Sequence, residues 1–378
     1  MKKRGGKLWI VMAVLLFGLF LAGCGKKYEE ASVTTAAVPG ETEAEPSRQE
    51  VVLETEGKKE SEAETEPEER VEVDGKIQSY LTGEMVDVKQ GNRRPLAVMM
   101  SNDKASLPQY GINRAAVVYE APVEGDMNRY MALIEDYDDL ERIGSVRSCR
   151  TYYTYFAREF DAVYAHFGQS TFAEPYLKNV DNINGIDGIG STAFYRSSDK
   201  KAPHNAYTSG SRIAKAMETL NYRTEYDESY DGHFKFARGS EQIIPDGEDA
   251  YKVVPGAYAI NKPWFEYQES DGLYHRFQYG DVHKGDEGAI AVKNVIFQYV
   301  EWGHYATTQY LNINVHTGHE GRYFTNGKYQ KITWDKDGEF GVTRYYDMDG
   351  NEITLNKGKT WICIIGADKY NKAEIYGK

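Results

Sequence analysis

Hydrophobic and polar positions change their spacing along this chain, and the changes predict its elements. Leu8 to Leu21 is one apolar run, too short to cross a bilayer comfortably, which takes about twenty residues. From Lys26 to about Asp74 almost nothing apolar recurs. Then Pro95–Met100 and Ala115–Tyr119 are continuous apolar runs, the pattern of strands covered on both faces. Arg129–Ile134 is a third strand candidate, polar at its entry. Tyr153, Phe156, Ala157 and Phe160 fall at i, i+3, i+4 and i+7 and predict a helix over Thr151–Glu159. Ser148, just ahead, is available as its N-cap. Ala162–Phe167 predicts a short buried strand ending at Gly168. Thr171-Phe172-Ala173-Glu174 has the form of a capping box, opening a helix with Ala173, Tyr176, Leu177 and Val180 on one face. Ser209 or Thr208 caps a last helix that aligns Ile213, Ala216, Met217 and Leu220.

From about Ala250 the period changes. Short Tyr-, Val- and Ile-rich runs are separated by Asp271-Gly272, Asn326-Gly327, Asp337-Gly338 and Asp349-Gly350, dipeptides that suit tight hairpins. Leu273, His275, Phe277 and Tyr279 alternate with Tyr274, Arg276 and Gln278. Ala289–Val300 and Trp361–Ile365 are the most apolar strands. The fold class expected is α+β or α/β: an N-terminal α/β layered domain over 77–230, a connector over 231–250, and a mostly antiparallel β domain over 251–378.

The first 76 residues carry an address. Met1–Lys7 is basic, and the apolar run closes in Leu21-Ala22-Gly23-Cys24. That is a signal peptide over 1–24 ending in a lipobox, with Cys24 as the lipidated first residue of the mature chain. Palmitate-type acylation at Cys24 would hold the protein to the outer face of the cell membrane. Residues 25–76 are expected to be a disordered acidic tether. The formal charge of −13 is therefore unevenly spread: about −10 falls in residues 26–75 and about +4 in the first seven, leaving about −7 for the rest. No basic field of the kind nucleic acid requires is visible, and no nucleic-acid partner is expected.

The stretch Ile143–Arg150 brings Arg147 and Arg150 to the start of the aromatic helix. A helix start favours anions, and guanidinium groups add forked donors. Asn102, Arg129, Arg147, Ser148, Arg150 and Asn205 are the candidate ligand-binding residues. Glu124, His166 and His204 are the candidate proton carriers if the protein is an enzyme. The alternative is a structural one: Glu120 and Glu124 neutralise the arginines, and His166 is a satisfied core histidine. The Gly-rich loop 182–190 lacks the Lys-Ser/Thr pair of a phosphate loop. His316 and His319 lack a completing carboxylate or cysteine, so no metal and no cofactor are expected. Cys149 and Cys363 are read as unrelated buried thiols in preference to an interdomain disulfide.

Several of these pieces together resemble the YerB-like lipoproteins, a family of unknown biochemical function from Gram-positive bacteria. The matching pieces are Arg94-Pro95-Leu96-Ala97-Val98, Val118-Tyr119-Glu120, Glu124-Gly125 with Arg129, Gly144 through Arg150, His166-Phe167-Gly168, Ala202-Pro203-His204-Asn205 and Gly358-Lys359-Thr360-Trp361. Asn128, Ser145, Cys149 and Gln169 depart from the family pattern. The resemblance implies a membrane-attached, extracytoplasmic protein of two domains and implies no substrate. The function expected is binding of an anionic cell-envelope component, a cell-wall polymer or an envelope protein. The alternatives are a wall-polymer-modifying enzyme, by phosphoryl or glycosyl transfer, and an envelope scaffold.

Overall fold

One ten-stranded sheet organises residues 70–378, which are the residues the computed structural model describes. The strands that matter here are β1 Leu96–Ser101, β2 Val117–Pro122, β3 Asn128–Ile134, β4 Val163–His166 and β5 Asn182–Asn184 from the first half. The second half adds β6 Lys252–Val254, β7 Trp264–Gln268, β8 Leu273–Gln278, β9 Asn294–Val300, β10 His319–Thr325, β11 Lys328–Lys336, β12 Thr343–Tyr346, β13 Thr360–Gly366 and β14 Glu374–Tyr376. The order across the large sheet is β12-β11-β10-β9-β13-β2-β3-β1-β4-β5.

The continuous apolar runs are its centre. In β1, Leu96, Val98 and Met100 pack into one core and Ala97 and Met99 into the other. Strand side chains alternate between faces, so both faces must be covered. On one face lies α1, Thr151–Arg158, with Tyr152, Tyr153 and Phe156 buried. The opposite face carries α2, Gly210–Leu220, through Ile213, Ala216 and Met217, and a second, antiparallel sheet built on β14-β6-β7-β8. Ser209 caps α2 by accepting from the Arg212 N–H at 3.3 Å.

Strands dominate, and the second half is less uniformly antiparallel than its pattern suggests. β9 and β13 run parallel from Asn294↔Thr360 to Val300↔Gly366. β13 then pairs in parallel with β2, from Thr360↔Val117 to Cys363↔Glu120. Every residue of β9 and β13 is buried, and strands apolar on both faces belong in the middle of a covered sheet. The two halves of the sequence therefore share one sheet and one pair of cores. Asn326-Gly327 makes its hairpin between β10 and β11 with φ of 51° and 73°, the left-handed pair that such a two-residue turn requires.

Three local expectations are corrected. Ser148 does not cap α1: the N-cap residue is Arg150, without a side-chain cap, and Ser148 Oγ instead donates to the Phe167 carbonyl at 3.0 Å. The segment after Thr171 is a 3-10 helix, Glu174–Asn179, and Ser170 rather than Thr171 receives the Ala173 N–H. Chain packing begins before Ile77: Arg70 lies over the Tyr80 ring at 4.1 Å and donates to Asn92 Oδ1 at 2.9 Å. The signal peptide, Cys24 and tether residues 25–69 lie outside the described residues. Among the described residues no helix is long and apolar enough to cross a membrane. Cys149 and Cys363 are both free and buried, and burial pushes the Cys149 thiol up to about 12.

Candidate anion-binding site

The topology brings the carboxyl ends of six parallel strands, β9, β13, β2, β1, β4 and β5, to one end of the sheet. β3 is antiparallel to its neighbours, so its first residues arrive at that same end, with Arg129 opposite Ser101 and Ala121. Ligands of open α/β sheets gather outside such carboxyl ends. Residues 144–150 cross there. Ser145 O accepts from Ser101 N at 3.0 Å, Arg147 N donates to Met99 O at 2.9 Å, and Arg147 O accepts from Phe167 N at 2.9 Å. Cys149 N donates to Gly168 O at 2.9 Å. The arginine stretch is thus stitched between β1 and the residues that follow β4.

Three guanidinium groups gather at this segment, Arg147 and Arg150 from it and Arg129 from β3. Arg150 is buried and makes a two-pronged pair with Glu124, Nε–Oε1 2.7 Å and Nη2–Oε2 2.5 Å. Arg129 and Arg147 are half-buried and bond carbonyls instead: Arg129 Nη1 donates to Ser148 O at 2.6 Å, and Arg147 Nη1 to Pro203 O at 3.1 Å. Carbonyl acceptors satisfy N–H groups without cancelling charge. Burial, with Arg150 and Arg147 nearby, pushes Arg129 down to about 10. Burial and Arg150 also lower Arg147, partly offset by the Asp103 carboxylate. The cluster therefore holds three cations against one hydrogen-bonded carboxylate.

The other candidates are distributed differently. His166 is fully buried, with Nδ1 2.9 Å from Gly168 O and Nε2 3.2 Å from Asn182 Oδ1, and burial lowers its pKa. His204 lies beside Pro203 with Nε2 3.9 Å from Asp103, and burial lowers its pKa too. Asn205 is engaged away from the cluster, bonding Arg196 at 2.7 Å and Ser197 O at 3.2 Å. Asn102 is 1% exposed and bonded on both sides of its amide. Among the described residues, no group of three or more His, Cys, Asp or Glu is placed to hold a metal ion.

Asn102 belongs to a second constellation that the pattern of apolar runs did not reveal. Arg276 Nη2 donates to Glu120 Oε2 at 2.8 Å, and Arg276 Nη1 to His283 Nδ1 at 2.7 Å. His283 Nε2 bonds Gln109 Oε1 at 2.9 Å, and Gln109 Nε2 donates to Asn102 Oδ1 at 3.2 Å. Asn102 Nδ2 donates to Asn128 Oδ1 at 3.1 Å, and Asn128 Nδ2 closes the ring on Glu120 Oε1. All six side chains are buried. Burial, and then Arg276, push His283 well down, so it is neutral and accepts from the arginine. Glu120 is thus occupied by Arg276, not by the arginines of residues 129–150. The one signal in the sequence was Arg276 sharing the inward face of β8 with Tyr274 and Gln278.

Of two hollows in the fold, one touches these groups. A cleft of about 360 Å³ lies at the ends of β2, β9 and β13, lined by Val123, Glu124, Met127, Trp302, His304 and Ile364 among others. A larger groove, about 650 Å³, opens at the amino ends of β4 and β5. Its Arg94 pairs with Asp181 at 2.8 Å and its Arg223 with Asp161 at 2.9 Å, so much of its charge is cancelled internally.

Comparison with known proteins gives a family and no activity. Residues 81–223 match the family described as Protein of unknown function (DUF3048) N-terminal domain, and residues 254–362 match its C-terminal domain. YerB of Bacillus subtilis (strain 168), whose name carries the word lipoprotein, is 28% identical over 297 residues, covering 77% of this chain and 86% of that protein. The crystal structure of the Bacillus subtilis YerB protein matches with a TM-score of 0.69 at 26% identity, over 79% of this chain and 99% of that one.

Proposed function

The chain belongs to the YerB-like family of two-domain proteins of unknown function, and from that premise we propose that it is a lipid-anchored, extracytoplasmic protein that binds an anionic cell-envelope component through Arg129 and Arg147. The observation that carries the proposal is the charge count of the cluster. Glu124 is spent on Arg150, and the remaining two guanidinium groups are held by carbonyls at a half-buried position. Bringing cations together costs energy, and a phosphate or carboxylate bound between them would remove that cost. Guanidinium forks suit such oxygen pairs. Binding is favoured over catalysis because two of the three candidate proton carriers are engaged, Glu124 by Arg150 through both oxygens and His166 inside the core, while His204 stands 3.9 Å from Asp103. The address comes from Leu21–Cys24, and the acidic tether would lift the folded part off a negatively charged surface.

Two experiments test the reading. Full-length protein purified in detergent is titrated with polyphosphate, an anion without sugar. Arg129→Ala and Arg147→Ala should each weaken binding about tenfold, in keeping with a charge-assisted hydrogen bond of ~1.5–3 kcal/mol. Binding that survives both changes together refutes the anion site. For the anchor, Cys24→Ser should abolish labelling by a palmitate analogue and release the protein from the membrane fraction; retained labelling rejects lipidation at that residue.

A further inference from the structure

We propose that the cleft beside Glu124 is a saccharide subsite: a sugar ring lies on the face of Trp302, and a phosphate or carboxylate attached to it is held by Arg129 and Arg147. The proposal deepens the anion-binding reading and rests on it only for the charged end of the ligand. The cleft and the cluster share Glu124, whose carboxylate grips Arg150 while its side chain lines the hollow. Arg150 in turn lies 5.3 Å from the Tyr310 ring, and the residues on either side of Tyr310 line the same cleft.

The cleft has the mixed lining of small-molecule sites, an apolar floor with a few placed polar groups. Val123, Leu311 and Ile364 form apolar wall, while Asp126 and Gln309 offer hydrogen-bonding groups. Its aromatic element is set in advance. Trp302 is 39% exposed, yet its indole N–H donates to Asp368 Oδ1 at 2.7 Å. Gly366, at the end of β13, leaves room for that ring, because a Cβ there would collide with the indole nitrogen. An exposed indole held by a hydrogen bond and a glycine presents a fixed electron-rich face. The C–H side of a pyranose fits such a face, and its hydroxyls fit the Asp126 carboxylate and the Gln309 amide. A bare aliphatic chain would leave those polar groups without partners.

Two probes separate the parts of the proposal. One is the N-acetylglucosaminyl–N-acetylmuramic acid disaccharide, which carries sugar rings and one carboxylate; the other is polyphosphate. Binding to full-length protein is measured by calorimetry. Trp302→Ala should weaken the disaccharide more than tenfold and leave polyphosphate unchanged, which also shows that the variant is folded. Trp302→Phe should keep most of the disaccharide affinity, and Gly366→Ala, which displaces the indole, should lose it. If the disaccharide fails to bind, or binds equally well to Trp302→Ala, the saccharide subsite is overturned while arginine-dependent polyphosphate binding leaves the anion site standing. If polyphosphate binding ignores the arginines but disaccharide binding depends on Trp302, the anion site falls and the saccharide subsite remains.

Discussion

Two regions of this protein use the same residue types to opposite ends. The Glu120–Arg276–His283 ring is sealed, and each charge in it meets an opposite charge or a neutral partner. The Arg129–Arg147–Arg150 cluster is half-open and holds more cations than carboxylates. The difference follows from location. Glu120 lies within β2, between β13 and β3, where no water reaches, so its charge needs a partner supplied by the chain itself. Arg147 and Arg150 lie past the strand ends, and Arg129 is the second residue of β3, at the rim of the sheet. Buried charge unpaired by the fold is costly, whereas cationic surplus at a solvent-reaching edge can persist and attract an anion. The ring joins the halves of the sequence, since Glu120, Asn128, Asn102 and Gln109 come from the first and Arg276 and His283 from the second.

The largest effect should come from breaking the ring. Arg276→Met leaves Glu120 charged and buried and should cost about 3–5 kcal/mol in urea unfolding. The double variant Glu120→Gln/Arg276→Met should recover part of that loss; no recovery would mean the ion pair is not what the single variant disturbs.

A second effect sharpens the contrast by testing a sealed carboxyl bonded to a hydroxyl rather than a cation. Ser79 Oγ contacts both oxygens of Glu135, at 2.8 and 2.9 Å, and burial pushes Glu135 up to about 7. A folded-state pKa above the unfolded one means the stabilisation is full below the ordinary carboxyl range. It is lost as pH rises towards 7. Glu135→Gln should therefore match the parent at pH 4 and exceed it at pH 8 by on the order of 3 kcal/mol. Equal urea midpoints at pH 8 would contradict this.

The open cluster should respond in the reverse sense. Arg129→Ala and Arg147→Ala should move unfolding free energy by less than about 1 kcal/mol while weakening polyphosphate binding about tenfold each. Raising salt from 0.05 to roughly 0.5 M should weaken that binding and leave the effect of Arg276→Met unchanged, because buried pairs are screened far less than half-open ones. The smallest change in affinity is expected from Ser148→Ala. It removes the bond to the Phe167 carbonyl and should cost about 1 kcal/mol, with little effect on affinity, since Arg129 is held by the Ser148 backbone.

Local information in the sequence determined the elements of this protein well. Apolar runs marked β1, β2, β9 and β13, the i, i+3, i+4 spacing marked α1 and α2, and Asn326-Gly327 marked a hairpin; each is a property of neighbours along the chain. The arginine stretch was legible as a place, because Arg147 and Arg150 precede a helix within a few residues. Tertiary structure decided what pairs with what. That Glu120 serves Arg276 rather than Arg150, that Asn102 closes a buried ring, and that Trp302 edges a cleft beside Glu124 all depend on β13 inserting beside β2. That pairing joins residues some 240 positions apart, such as Glu120 and Cys363. Apolar pattern states which faces must be covered but carries no label for the strand that covers them, so the register of that insertion, and with it the division between sealed and open charge, exists only in the folded chain.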